Sequence, residues 1–135
     1  MTELPTASVG VELALAEETL EAARVLAQAG LHRHAVGRAY YAIFHAACAL
    51  LASIGRTART HDGVRALVNE HFVRPGALDA ASARVFRQTA ADRNDADYDA
   101  AAKFDAEDSR KDIEQAEAFV AAAKRIVGGA AGKTA

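Results

Sequence analysis

The chain has 135 residues, a single cysteine, two prolines, no tryptophan and a formal charge of −2 at pH 7. That length suits one domain with a core of its own, and Cys48 alone cannot form an internal disulfide, so a cytoplasmic setting is the default. Abundant alanine, with Glu, Asp and Arg as the main polar residues, favours helix over strand, and the acidic opening MTELPTASVGVELALAEE has neither part of an export signal.

Five helices are expected, in an all-α antiparallel bundle occupying residues 11–127 between an N-terminal tail (1–10) and a disordered C-terminal tail (128–135). The first runs from about Val11 to Ala29, with Val11, Leu15, Leu20, Val25 and Leu26 on its apolar side and Gly30 as its stop. The second runs from about His32 to Ile54 and ends at Gly55. Thr60 caps a third, which carries Val64, Leu67, Val68 and Phe72 as far as RPG (74–76). Asp79 caps a fourth that turns Val85 and Phe86 inward and runs toward Arg93. Asp105 with Asp108 reads as an acidic capping box opening the fifth, where Ile113, Ala116, Phe119, Val120, Ala123 and Val127 repeat at helical spacing.

The second helix carries the most information. Val36, Tyr40, Ile43, Phe44, Ala47, Leu50, Leu51 and Ile54 form one apolar stripe, and Ala35, Ala42, Ala46, Ala49 and Ser53 form a second stripe of small residues. Between them remains a narrow strip of His34, Arg38, Tyr41, His45 and Cys48. Residues 39–55 lack a fixed charge but fall short of the ~20 apolar residues a spanning helix needs, which points to a buried helix. Polar groups on such a helix need partners. Arg38, Tyr41 and His45 are therefore either satisfied structural groups, with Arg38 paired to a carboxylate, or a strip facing a phosphate or nucleotide.

Charge is unevenly distributed. Residues 1–21 hold five Glu and no base, whereas residues 22–91 hold nine Arg against Asp62, Glu70 and Asp79. An all-arginine basic section suits phosphate, since guanidinium groups match it bidentately, and equally suits solvated helix faces paired with the acidic ends. Metal binding is not expected: His32 and His34 do not share a helix face, and His61 and His71 lack partners at ligand spacing. No phosphate loop, nucleophile elbow or zinc-protease motif is present, so no cofactor is implied. Cys48, among apolar residues, reads as a packed side chain.

RNDADYD (93–99) is poor helix material and invites a break after Arg93. On an unbroken helix Arg93 and Tyr98 would diverge by roughly 140°; with a break they could converge. The alternative is a solvated helix end.

Taken together, RAYYAIFHAACALLASIG (38–55), THDGV (60–64), RNDADYD (93–99) and EQAEAFV (114–120) resemble the HEPN domain family over about residues 20–127. The resemblance implies a helical bundle that forms a homodimer. Prokaryotic members are often encoded beside a minimal nucleotidyltransferase, as toxin and antitoxin. Many are metal-independent endoribonucleases built on an Arg-x4–6-His motif whose two copies meet across the dimer. By that likeness Arg93 is the motif arginine and Asn94 its polar follower, while Tyr98 stands at the histidine position. Arg93 and Tyr98 are thus the candidate catalytic pair, and Asn94, Arg38, Tyr41 and His45 the candidate RNA- or nucleotide-binding residues. Tyrosine, with an ordinary pKa near ~10, is a poor base at neutral pH, so the departure leaves the anion-binding half of such a site and removes its proton-handling half. Two expectations follow: a toxin-like protein acting on RNA, or a non-catalytic module that binds a nucleotide or the nucleotidyltransferase and is modified by it at Tyr98.

Overall fold

The computed structural model describes residues 8–134, and the side chains of residues 9–129. Five α-helices follow one another among the described residues: α1 (Ser8–Gln28), α2 (His32–Ser53), α3 (His61–Val68), α4 (Ala80–Tyr98) and α5 (Ala106–Thr134). Of the expected N-terminal tail, residues 1–7 lie outside the described residues, and Ser8 to Gly10 already belong to α1. At the other end, α5 continues through Gly128 and Gly129 to Thr134, past the boundary at residue 127 that the apolar spacing set.

The helix boundaries follow local chemistry. Gly30 and Gly55 take positive φ (80° and 70°), the left-handed geometry that ends α1 and α2 at no steric cost. The Thr60 and Asp79 side chains accept hydrogen bonds from the amides of Gly63 and Ser82, both at 2.9 Å, satisfying N-terminal donors of α3 and α4. Asp105 and Asp108 exchange bonds reciprocally: each side chain accepts from the other's amide, at 2.9 and 3.0 Å. After Val68 the chain widens into a π-helical turn (Asn69–Val73), closed by the Arg74 amide on the Asn69 carbonyl. The wider turn slows the angular drift that α geometry would impose, so Phe72 joins Val64 and Val68 in the core.

α2 is the central element. Both of its predicted stripes are buried, including Tyr40, Ile43, Leu50 and Leu51 on one side and Ala35, Ala42, Ala46 and Ala49 on the other; Ile54, at the helix end, is exposed. α1, α4 and α5 all pack on it, α1 most extensively. The helix is long and apolar enough to cross a membrane by length and composition, yet about two thirds of its apolar stretch is buried inside the bundle, as a core helix must be.

α1 differs from expectation. It buries Ala16, Leu20 and Ala23, whereas Val11, Leu15 and Val25 lie exposed. Of the large residues expected on its apolar side, Leu20 is buried and Leu26 half-buried. Against a partner helix lined with alanine, small side chains allow the close approach that maximises dispersion contacts, and α1's own alanines supply them.

Candidate functional site: an arginine and tyrosine cluster beside His61

α4 runs without a break from Ala80 to Tyr98, so the interruption expected after Arg93 does not occur. Two features sustain the polar stretch as helix. Ala96 is buried, anchoring the last turns against the bundle. From α2, the Arg33 guanidinium donates to the carbonyls of Ala96 (2.6 Å), Asp99 (3.1 Å) and Ala102, covering acceptors that the helix end leaves without intrahelical partners. As a consequence Arg93 and Tyr98 do not converge. Tyr98 is 75% exposed, while Arg93 turns toward α2.

There Arg93 meets the polar strip of α2. Its Nη2 donates to the Tyr41 hydroxyl at 2.7 Å, and its guanidinium lies over the rings of Tyr41 (5.3 Å) and Tyr40 (5.5 Å). Asp97, one turn on, approaches Arg93 Nε at 3.3 Å, an ion pair by distance that leaves this buried nitrogen without a hydrogen bond of good geometry. Arg38 sits over the Tyr41 ring at 4.8 Å and is exposed; it takes no carboxylate partner among the described residues, contrary to the paired arrangement that structural satisfaction alone required. Tyr41 is thus the hub between two guanidinium groups. Each cation gains from an aromatic face, and neither is neutralised as fully as a buried bidentate ion pair would be.

An imidazole completes the cluster, and sequence reasoning did not place it there. His61, the first residue of α3, has Nδ1 2.6 Å from the Tyr40 hydroxyl, stacks on Phe44 at 4.1 Å and meets Tyr41 edge-on at 6.0 Å. Burial, and then the positive charges of Arg93 and Arg65, hold its pKa below the usual histidine value. Tyr40 is 1% exposed, and burial pushes its phenol up to about 12, so it remains a hydroxyl donor at neutral pH. Arg65 pairs with Asp62 on the same helix. The only sequence signal for His61 was its place directly after the Thr60 cap, within THDGV.

The other predicted residues lie apart from this cluster. Asn94 is exposed, with no side-chain hydrogen bond among the described residues. His45 turns to α1, where Nδ1 lies 2.9 Å from the Glu12 carboxylate. Cys48 is half-buried, and burial, reinforced by Glu12, raises its thiol to about 12, so it stays protonated as a packed side chain does. Among the described residues, no three His, Cys, Asp or Glu side chains gather as metal ligands.

Residues 13–126 match the HEPN domain. The chain belongs to the HEPN family. A candidate toxin of Methanocaldococcus jannaschii is 37% identical over 113 residues, covering 84% of each chain. UPF0332 proteins of Thermotoga maritima (30% over 112 residues, 83% of this chain and 85% of the relative) and Archaeoglobus fulgidus (34% over 112 residues, 83% and 89%) are similar over the same extent. In this HEPN chain, then, the arginine of RNDADYD is held in a cluster of aromatic and basic side chains on α2 and α3, and the tyrosine that follows it is not.

Proposed function

We propose that this HEPN protein is a toxin-like protein that acts on RNA, with Arg93 as the phosphate-binding residue at its centre. One observation carries the reading: a guanidinium fixed in place by Tyr41, with Arg38 on the same ring and without a carboxylate partner among the described residues, presents positive charge where a phosphodiester can be held. Similarity to a candidate toxin supports the same direction. The working form is a homodimer in which Arg93 of each copy faces one cleft, and the arginine-rich section 22–91 steers RNA toward it. Cleavage, if performed at this cleft, is metal-independent, with Arg93 stabilising charge on the phosphate.

The test is cleavage of total RNA in EDTA by purified protein and by Arg93→Ala. Cleavage by the first and a loss of about a hundredfold or more in the second is the expected result, in line with removal of one group that stabilises transition-state charge. Equal activity in both samples sinks the proposal.

A second reading rests on Tyr98. Its 75% exposed ring at the end of α4 is accessible to a partner enzyme in a way that a buried motif residue is not. In this version the protein is the non-catalytic partner of a minimal nucleotidyltransferase, which transfers the adenylyl group of ATP to the Tyr98 oxygen; the new P–O bond forms as the bond to pyrophosphate breaks, and the hydroxyl proton passes to solvent. The mass gained on incubation with ATP and that partner, for wild type and Tyr98→Phe, decides it; no gain in wild type, or the same gain in both proteins, counts against it.

A further inference from the structure

The Tyr40–His61 pair fixes more than packing. Among the described residues, the nearly inaccessible Tyr40 hydroxyl has one hydrogen-bond partner, His61 Nδ1, at 2.6 Å. A buried hydroxyl gives its proton to the acceptor in reach, so Nδ1 accepts and the neutral imidazole carries its hydrogen on Nε2. Nε2 itself has no protein partner among the described residues and is absent from the buried unpartnered atoms, which leaves it facing solvent as a donor. Around it stand Tyr40 and Tyr41 from α2, Asp62 and Arg65 from α3, and Arg93 with its Asp97 from α4. The Tyr41 ring lies 6.0 Å from the His61 ring and is the shared neighbour of the site: the guanidinium carbons of Arg93 and Arg38 lie 5.3 and 4.8 Å from that same tyrosine ring.

From this geometry we propose that His61 is the missing imidazole of the site: its Nε2–H, with Arg93 and Arg38, binds one phosphodiester, and His61 takes up a proton as that anion arrives. The identity of the ligand rests on the RNA reading above; the residue and the protonation step do not come from it. The reason for proton uptake is electrostatic. In the free protein burial, and then the guanidiniums of Arg93 and Arg65, disfavour a positive charge on His61, and the imidazole stays neutral. An anion bound at Nε2 between His61 and Arg93 opposes both effects and stabilises the imidazolium. The proton comes from solvent. The bound state then holds, from α3, the charged imidazole that α4 lacks because residue 98 is tyrosine.

The experiment uses the full chain and a short 2′-O-methylated oligouridylate, which presents phosphodiesters and cannot be cleaved through its 2′ oxygen. Histidine ring signals are followed by NMR against pH with and without the oligonucleotide, His61 being assigned by the signal lost in His61→Gln. Expected is a rise of about one pH unit or more in the His61 midpoint at saturation, with His32, His34, His45 and His71 moving much less. Expected too is a weakening of binding by about tenfold in His61→Gln, the scale of one hydrogen bond to a charged group. A His61 midpoint unmoved by a bound oligonucleotide overturns the inference, as does equal movement of all five histidines. Cleavage of total RNA separates the two levels. If Arg93→Ala abolishes cleavage while His61→Gln binds and cleaves as wild type does, the RNA reading stands and the His61 assignment falls. If wild-type protein neither binds nor cleaves, both fall.

Discussion

Asp112 lies in α5 with 2% of its surface exposed, and its Oδ2 has no hydrogen-bond partner. Burial, and then the Asp92 carboxyl on α4, push its pKa up to about 8, far above the ordinary carboxylate range. The folded protein therefore keeps a proton on this side chain that the unfolded chain, titrating near ~4, has released. Between those two values the folded state binds more protons, so raising the pH through the window lowers stability, by at most about 1.4 kcal/mol per pH unit. The loss begins above about pH 4 and is complete above about pH 8. By pH 7 the carboxyl costs the fold on the order of 4 kcal/mol relative to a neutral side chain of the same shape. Asparagine is that side chain, and its amide can donate where the acid's proton did. Asp112→Asn is expected to be more stable than wild type, by a margin that widens as the pH rises. Urea denaturation of both proteins at intervals between about pH 5 and pH 8 measures the margin, and the histidines, common to both, cancel in the difference. A margin that stays constant over that range, or a less stable Asp112→Asn at the upper end, refutes the reasoning.

Three other predictions concern the fold that holds the site. Ala46→Leu places a large side chain at a fully buried position in the small-residue stripe of α2, and denaturation should show a loss of about 1–3 kcal/mol or more. Thr60→Ala removes the side chain that caps α3 beside His61, and should cost about 1 kcal/mol by the same measurement. Arg33→Met keeps the aliphatic stem and removes the guanidinium donors on the carbonyls of Ala96, Asp99 and Ala102; about 2 kcal/mol should be lost, with faster amide exchange confined to the last turn of α4. An unchanged exchange pattern there would show that Ala96 packing alone keeps this end helical.

What could be read from sequence was the chemistry that acts over three or four residues. The caps at Thr60, Asp79 and Asp105, the stops at Gly30 and Gly55, and both stripes of α2 all depend on near neighbours, and all are found as the sequence indicates. Features governed by distant residues were not legible. The polar segment after Arg93 holds its helix through Arg33, more than sixty positions away. The buried face of α1 is chosen by the alanines of α2, so counting large apolar residues selected Val11 and Val25, which stay exposed. His61 joins the site through Tyr40, Phe44 and Arg93, none of them at a metal-ligand or catalytic spacing from it. Arg93, Arg38 and Tyr41 were chosen from sequence and are found together, whereas Asn94, His45 and Tyr98 are not in that cluster.

The division of labour among the helices also has a dynamic side. Tyr40, Tyr41 and Arg38 stand on α2, which buries twelve of its 22 residues, while Arg93 stands on α4, which buries three of 19. Helices that bury little can detach and return at a fraction of the free energy needed to unfold the whole domain. The cluster is therefore a junction between a helix that is largely buried and one that buries little. Any lifting of α4 would take Arg93 from its tyrosines and disperse the positive centre. A ligand that bridges α2 and α4 holds the junction shut, and its affinity is set in part by how often the free protein has it open.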